Sequence, residues 1–196
     1  VRAYKSVLAN AKAINSFAIV WNDSATRLPT IPSNRPTWSV YGPNQGGGTT
    51  QGAGSLVWDV AHHGSAGYLA YLITGDYYYL ETMEDQSALC YLINSSSQGS
   101  GTSRIFGGQT RAVAWCMRPV GQLAGIAPSD SVANDYRTLL ANNMVYWNSE
   151  VNRAGQNLIG YLYSYEIGGY GAGAVSPWQQ HFWVQTYGHL SDLEPL

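Results

Sequence analysis

The chain has 196 residues, 45% hydrophobic and only 11% charged, which is enough apolar material for one sizeable core. Ten Lys and Arg stand against twelve Asp and Glu with no basic run, so neither a phosphate backbone nor an anionic membrane surface is an obvious partner. No apolar stretch reaches the ~20 residues that a bilayer span needs, and no signal-peptide pattern opens the chain.

From the N-terminus, Val1, Tyr4, Val7, Leu8, Ala11 and Ile14 recur at helical spacing and predict an opening helix. Residues 17–57 hold Pro29, Pro32, Pro36 and Pro43 and then "NQGGGTTQGAGS", which reads as short extended pieces and a long loop. From Asp59 the pattern turns helical, with Tyr68, Leu69, Leu72 and Ile73 gathered on one side as far as "TGD". Gly75 is suited to end that helix and Asp76 to cap the next, the signature of a helical hairpin. The second arm spans about Tyr77 to Asn94, and "SSSQGSGTS" follows as a polar loop.

A third helix is expected from about Gln109 to Ala124, with Pro119 inside it and a kink near Arg118. "PSDS" supplies Pro and capping residues for a helix from about Val132 to Trp147. The Gly- and Tyr-rich "NLIGYLYSYEIGGYGAGAVS" reads as a β-hairpin or a loop, after which Ser176 and Pro177 open a helix running to Gly188. In "HLSDLEPL", Ser191 and Glu194 have capping-box spacing and announce a further helix, so both ends read as internal to a longer chain. Cys90 and Cys116 either pair or stay buried and free.

The phrases "AHHGSAGYLAYLITGDYYYLETM", "RIFGGQTRAVAWCMRPVGQLAG" and "LLANNMVYWNSEV" resemble the hairpin repeats of six-hairpin (α/α) toroid proteins, among them many glycoside hydrolases and polysaccharide lyases. The resemblance implies an all-α domain over residues 1–196, part of a larger toroid, with long Gly/Pro/Tyr-rich loops. A full toroid needs about a dozen helices, and at ~11–12 residues each plus loops this chain holds about half. The implied ligand is a polysaccharide or oligosaccharide, and the implied chemistry is elimination or hydrolysis. A non-catalytic glycan-binding or scaffold domain is the alternative.

Several side chains could carry such chemistry. Asp59 and His62 are three apart and share a face if the helix starts this early; Asp59 as a helix cap explains them as well. Arg104, Arg111 and Arg118 recur every seven residues, the last two on one stripe with Trp115. Guanidinium forks there would hold uronate carboxylates, or else pair with Asp59, Glu81, Glu84 or Asp85. By resemblance to the toroid lyases, Arg111 with Asn142 or Asn143 would neutralise the uronate, and His62 or His63 or Tyr68 would move protons. Trp178, Gln179, Gln180 and His181, in "SPWQQHF", read as a sugar-binding edge or as one amphipathic helix. No metal or cofactor is expected, nucleic acid is not a partner, and an exported or cell-surface setting is slightly favoured.

Overall fold

A computed structural model describes residues 2–13, 64–92, 105, 110–152 and 176–195. Within them the secondary structure is helical and contains no strand: α1 Arg2–Ala13, α2 Tyr68–Thr74, α3 Tyr77–Leu92, α4 Thr110–Ile126, α5 Asp130–Val151 and α6 Pro177–Leu193. The all-α expectation holds for these residues. The Pro- and Gly-rich segment 17–57 and the segment read as a β-hairpin lie outside the described residues.

The Thr-Gly-Asp turn joins α2 to α3 by local chemistry alone. Gly75 takes a left-handed conformation at φ 64° and donates its N–H to the Tyr71 carbonyl at 2.7 Å, closing α2. Asp76 then opens α3, its Oδ1 accepting the Tyr78 N–H at 3.1 Å. α1 attaches here: Lys5 pairs with Asp76, and the Tyr4 ring stacks on Tyr79 at 6.1 Å.

Twelve of the seventeen residues of α4 are buried. It runs unbroken through Pro119, so the expected kink does not end it. Because Pro119 lacks an N–H, the Trp115 carbonyl loses its intrahelical donor. α3 is clamped to α4 by a Cys90–Cys116 disulfide, 26 residues apart in sequence, which decides the alternative the sequence left open.

α4 and α6 are parallel neighbours, because their contacts run in the same order along both. Arg111 meets Gln179, Trp115 meets Phe182, and Gln122 meets His189. The Gln179 Oε1 accepts the Arg111 N–H at 3.1 Å, satisfying a backbone donor that the first turn of α4 cannot pair internally. Further along, Gly121 lets the helices close, since a Cβ there would lie 2.3 Å from Leu190 Cδ2. α5 returns between them in sequence and packs on α6 through Trp147 and Trp183, ring to ring at 5.3 Å.

The C-terminal segment corrects one expectation. Ser191 lies inside α6, and Glu194, at φ 47°, ends that helix with its N–H on the Leu190 carbonyl at 3.2 Å. The Ser-to-Glu spacing therefore closes a helix instead of opening one. Arg137 of α5 holds the tail by donating from Nε to the Pro195 carbonyl at 3.1 Å. α2 likewise starts later than the pattern suggested: residues 64–66 are not helical, and the helix opens after Gly67.

Candidate cleft between four helices

A cleft of about 450 Å³ lies where α1, α2, α4 and α6 converge with the segment leading into α2. That volume suits a small organic ligand or one or two sugar rings. Tyr68 and Ile73 line it from α2, Trp115, Arg118 and Gln122 from α4, and His189 from α6, with Tyr4 and Ser65 completing the wall.

The wall is fixed by a chain of amides. Gln86 in α3, nearly fully buried, clamps the entering segment from both ends: its Oε1 accepts the Ala66 N–H at 2.8 Å and its Nε2 donates to the Gly64 carbonyl at 3.1 Å. Gly67 continues the segment at φ 98°, where a Cβ would sit 2.5 Å from the Tyr79 carbonyl oxygen, so only glycine fits. Its N–H donates to the Tyr4 hydroxyl at 3.2 Å. Held in this way, Ser65 donates from Oγ to Gln122 Oε1 at 2.6 Å.

Gln122 passes the order on to His189, with Nε2 to Nε2 at 3.0 Å. An amide nitrogen can only donate, so the imidazole accepts at Nε2 and carries its proton at Nδ1. The His189 pKa is lowered below the usual histidine value, first by burial and then by the neighbouring Arg118 guanidinium, with Asp192 opposing. A neutral imidazole at physiological pH is the result. The Tyr68 ring meets it edge-on at 6.0 Å, and burial pushes the Tyr68 hydroxyl up, keeping it protonated.

Arg118 is half-buried in this wall, and no ion pair or hydrogen bond joins it to another of the described residues. A guanidinium removed from bulk water without a carboxylate partner is costly, and it recruits an anion that reaches it. Trp115, one turn away on α4, supplies a flat apolar ring. Gly64 packs against that ring so tightly that a Cβ would come within 2.7 Å of it.

Of the residues singled out in the sequence, Tyr68, Trp115 and Arg118 come together here. Arg111 lies further along α4, its guanidinium 5.0 Å over the Trp178 ring. Asn143 is fully buried, accepting the Ile105 N–H at 2.8 Å and donating to the Leu139 carbonyl at 2.7 Å, and Gln179 is buried against the start of α4; both hold the packing. Asn142 and His181 are exposed and do not line the cleft. Asp59, His62, His63 and Arg104 lie outside the described residues.

Ser65, Gln122 and His189 were not singled out. The signal was present for Gln122, which continues the Arg111, Trp115, Arg118 stripe by one more helical step. His189 fell just past the expected end of the last helix. Among the described residues no group of three or more His, Cys, Asp or Glu could hold a metal ion, and no helix is long and apolar enough to cross a membrane. No protein-family model matches the chain, and no curated protein or solved structure is significantly similar to it.

Proposed function

We propose that this cleft binds an acidic sugar unit of a polysaccharide and acts on it by elimination. The observation that carries the reading is Arg118, without an ionic partner among the described residues, set beside a neutral imidazole, a protonated phenol and an indole face. In this scheme Arg118 pairs with the uronate carboxylate and lowers the cost of charge developing at the adjacent carbon. Trp115 stacks on the ring. His189 takes the C5 proton, the C–H electrons form the new double bond, and the leaving oxygen at C4 departs with a proton from Tyr68.

Elimination is favoured over hydrolysis because none of the described residues lining the cleft is a carboxylate, whereas hydrolysis draws on two. The parallel pairing of α4 with α6, α5 intervening in sequence, is the arrangement that successive hairpins of an (α/α) toroid would give. The Cys90–Cys116 bridge suits an oxidising, exported setting.

One observation favours the second reading, a glycan-binding domain without turnover. The Nε2 lone pair of His189 is occupied by Gln122, and the Gln122 amide must rotate away before that nitrogen accepts a proton. The test is a time course against acidic and neutral polysaccharides, following unsaturated-uronate absorbance and new reducing ends together. Both signals, lost in Arg118→Ala and His189→Ala, are the expected result. Reducing ends without absorbance would exclude elimination, and retention of the acidic polymer without either signal would assign binding alone.

A further inference from the structure

Ser65, Gln122 and His189 form a hydrogen-bonded row along the cleft wall, and both of its bonds can reverse. As it stands, the Ser65 hydroxyl donates to Gln122 Oε1 at 2.6 Å and Gln122 Nε2 donates to His189 Nε2 at 3.0 Å, which leaves the imidazole proton on Nδ1. A half-turn of the Gln122 amide exchanges its oxygen and nitrogen with little change of shape, and the terminal torsion of glutamine is softly two-fold. After that turn Gln122 Nε2 donates to Ser65 Oγ, since a hydroxyl accepts as well as donates, and Gln122 Oε1 accepts from His189 Nε2, which then carries the proton. Gln122 is 2% exposed, so an orientation that left either end unpaired would be costly; these two keep both ends paired.

We infer that the row is a ligand-gated tautomer switch: an acceptor oxygen of the bound acidic sugar draws the Ser65 hydroxyl, the Gln122 amide turns over, and the imidazole lone pair moves from Nε2 to Nδ1. This rests on the acidic-sugar reading of the cleft and adds to it how the ligand prepares the base. Without ligand the first orientation is favoured, because the Ser65 proton has its acceptor within the row. In the second that proton turns away from Gln122 into the cleft, which Ser65 lines, and an anionic oxygen there accepts it more strongly than water does. A ligand that binds the second arrangement better shifts the population toward it. Gln86 holds Gly64 and Ala66, so Ser65 answers by rotating its hydroxyl while the wall stays in place. One ring proton leaves Nδ1 to water and another arrives at Nε2, so the imidazole stays neutral. Arg118 of α4, Asp192 of α6 and Tyr68 of α2, the charged and titratable groups facing it among the described residues, keep their charges. No hydrogen bond joins Nδ1 to another of the described residues. The C5 proton can then be taken at Nδ1 while Nε2–H stays bonded to Gln122, and the amide need not leave.

The test is the imidazole nitrogen and carbon shifts of His189 in isotope-labelled protein at about pH 8, where a neutral ring shows which nitrogen carries the proton. Galacturonic acid is titrated in, a probe with no glycosidic bond at C4 to break. Galactose is the uncharged control, and the Trp115 indole N–H resonance reports occupancy of the cleft. The free protein is expected as the Nδ1–H tautomer, and saturation with galacturonic acid should convert most of it to Nε2–H. Gln122→Glu, which offers acceptor oxygens only, should hold Nε2–H with or without the probe. Ser65→Ala should bind galacturonic acid about three- to tenfold more weakly, the size of one lost hydrogen bond, and show no change of tautomer at saturation.

Nε2–H in the free protein, or Nδ1–H retained once the Trp115 resonance has saturated, would overturn the switch and leave the acidic-sugar reading intact. A Ser65→Ala protein that changes tautomer as the unaltered one does would overturn the gating by Ser65. A switch driven equally by galactose would overturn the acidic ligand while keeping the switch. No response of Trp115 or His189 to galacturonic acid, up to the solubility of the probe, would refute the acidic-sugar reading and the gating with it.

Discussion

Glu84 makes this fold sensitive to pH in a direction opposite to ordinary acid denaturation. The residue is 8% exposed on α3, and burial pushes its carboxyl up from 4.5 to about 7; Glu81 adds to the rise, and the Tyr77 hydroxyl, donating at 3.4 Å, opposes it. The unfolded chain therefore releases this proton first. The contribution of Glu84 is fully present below pH 4.5, declines as pH rises to about 7, and is flat above it. At ~1.4 kcal/mol per unit, the gap amounts to about 3 kcal/mol, a sizeable share of a typical domain's stability.

Two other groups push the opposite way. Asp76, lowered by its bond to Lys5, loses its contribution as pH falls through and below 3.8, and the lowered His189 loses its contribution as pH falls below 6.5. The difference between the unaltered protein and Glu84→Gln isolates the Glu84 component. Urea unfolding from about pH 4 to about pH 8 should show Glu84→Gln gaining on the parent by about 3 kcal/mol across that range. Parallel curves for the two proteins would refute the buried-carboxyl argument.

Gly121→Ala should destabilise by about 1–2 kcal/mol despite the better helix propensity of alanine, because Leu190 is buried and must move; the double variant with Leu190→Ala should recover part of that loss, checked by a denaturation cycle. Replacing Cys90 and Cys116 by Ala should cost about 3–4 kcal/mol, the entropy of a loop this long, and chemical denaturation with and without reductant measures it. Gln86→Ala leaves the Gly64 carbonyl and Ala66 N–H without their partner, so stability should fall by about 2 kcal/mol and ligand binding at the cleft should weaken with it. If elimination occurs, the lowered pKa of His189 should place the acid limb of its rate profile below pH 6.5; a fall centred at or above 6.5 would exclude His189 as the base.

Much of the helical layout is local and was therefore legible in the residues. Gly75 and Asp76 terminate and start helices through bonds to atoms within a few residues, so "TGD" predicts the α2–α3 hairpin without reference to the rest of the chain. Pro177 at the first turn of α6 works in the same way, although Ser176 contributes its carbonyl and not its side chain. The capping-box spacing of Ser191 and Glu194 misled because Glu194 itself takes the left-handed conformation that closes α6, and the tail after it is docked by Arg137.

The periodicity of Arg111, Trp115 and Arg118 also identified a face of α4, since spacing on a helix is fixed by its pitch. What that face meets was not encoded locally. His189 reaches Gln122 across 67 positions and Ser65 reaches the same amide across 57, bonds that exist only because Gly121 lets α6 close on α4 and Gln86 pins residues 64–66 in place. The sequence by itself determined where these helices begin and turn and which side chains share a face. Only the tertiary structure decided that Asn143 and Gln179 serve the packing while Arg118, Tyr68 and His189 share a cleft, because long-range packing geometry, not residue type, sets which polar groups are satisfied inside and which line an open cleft.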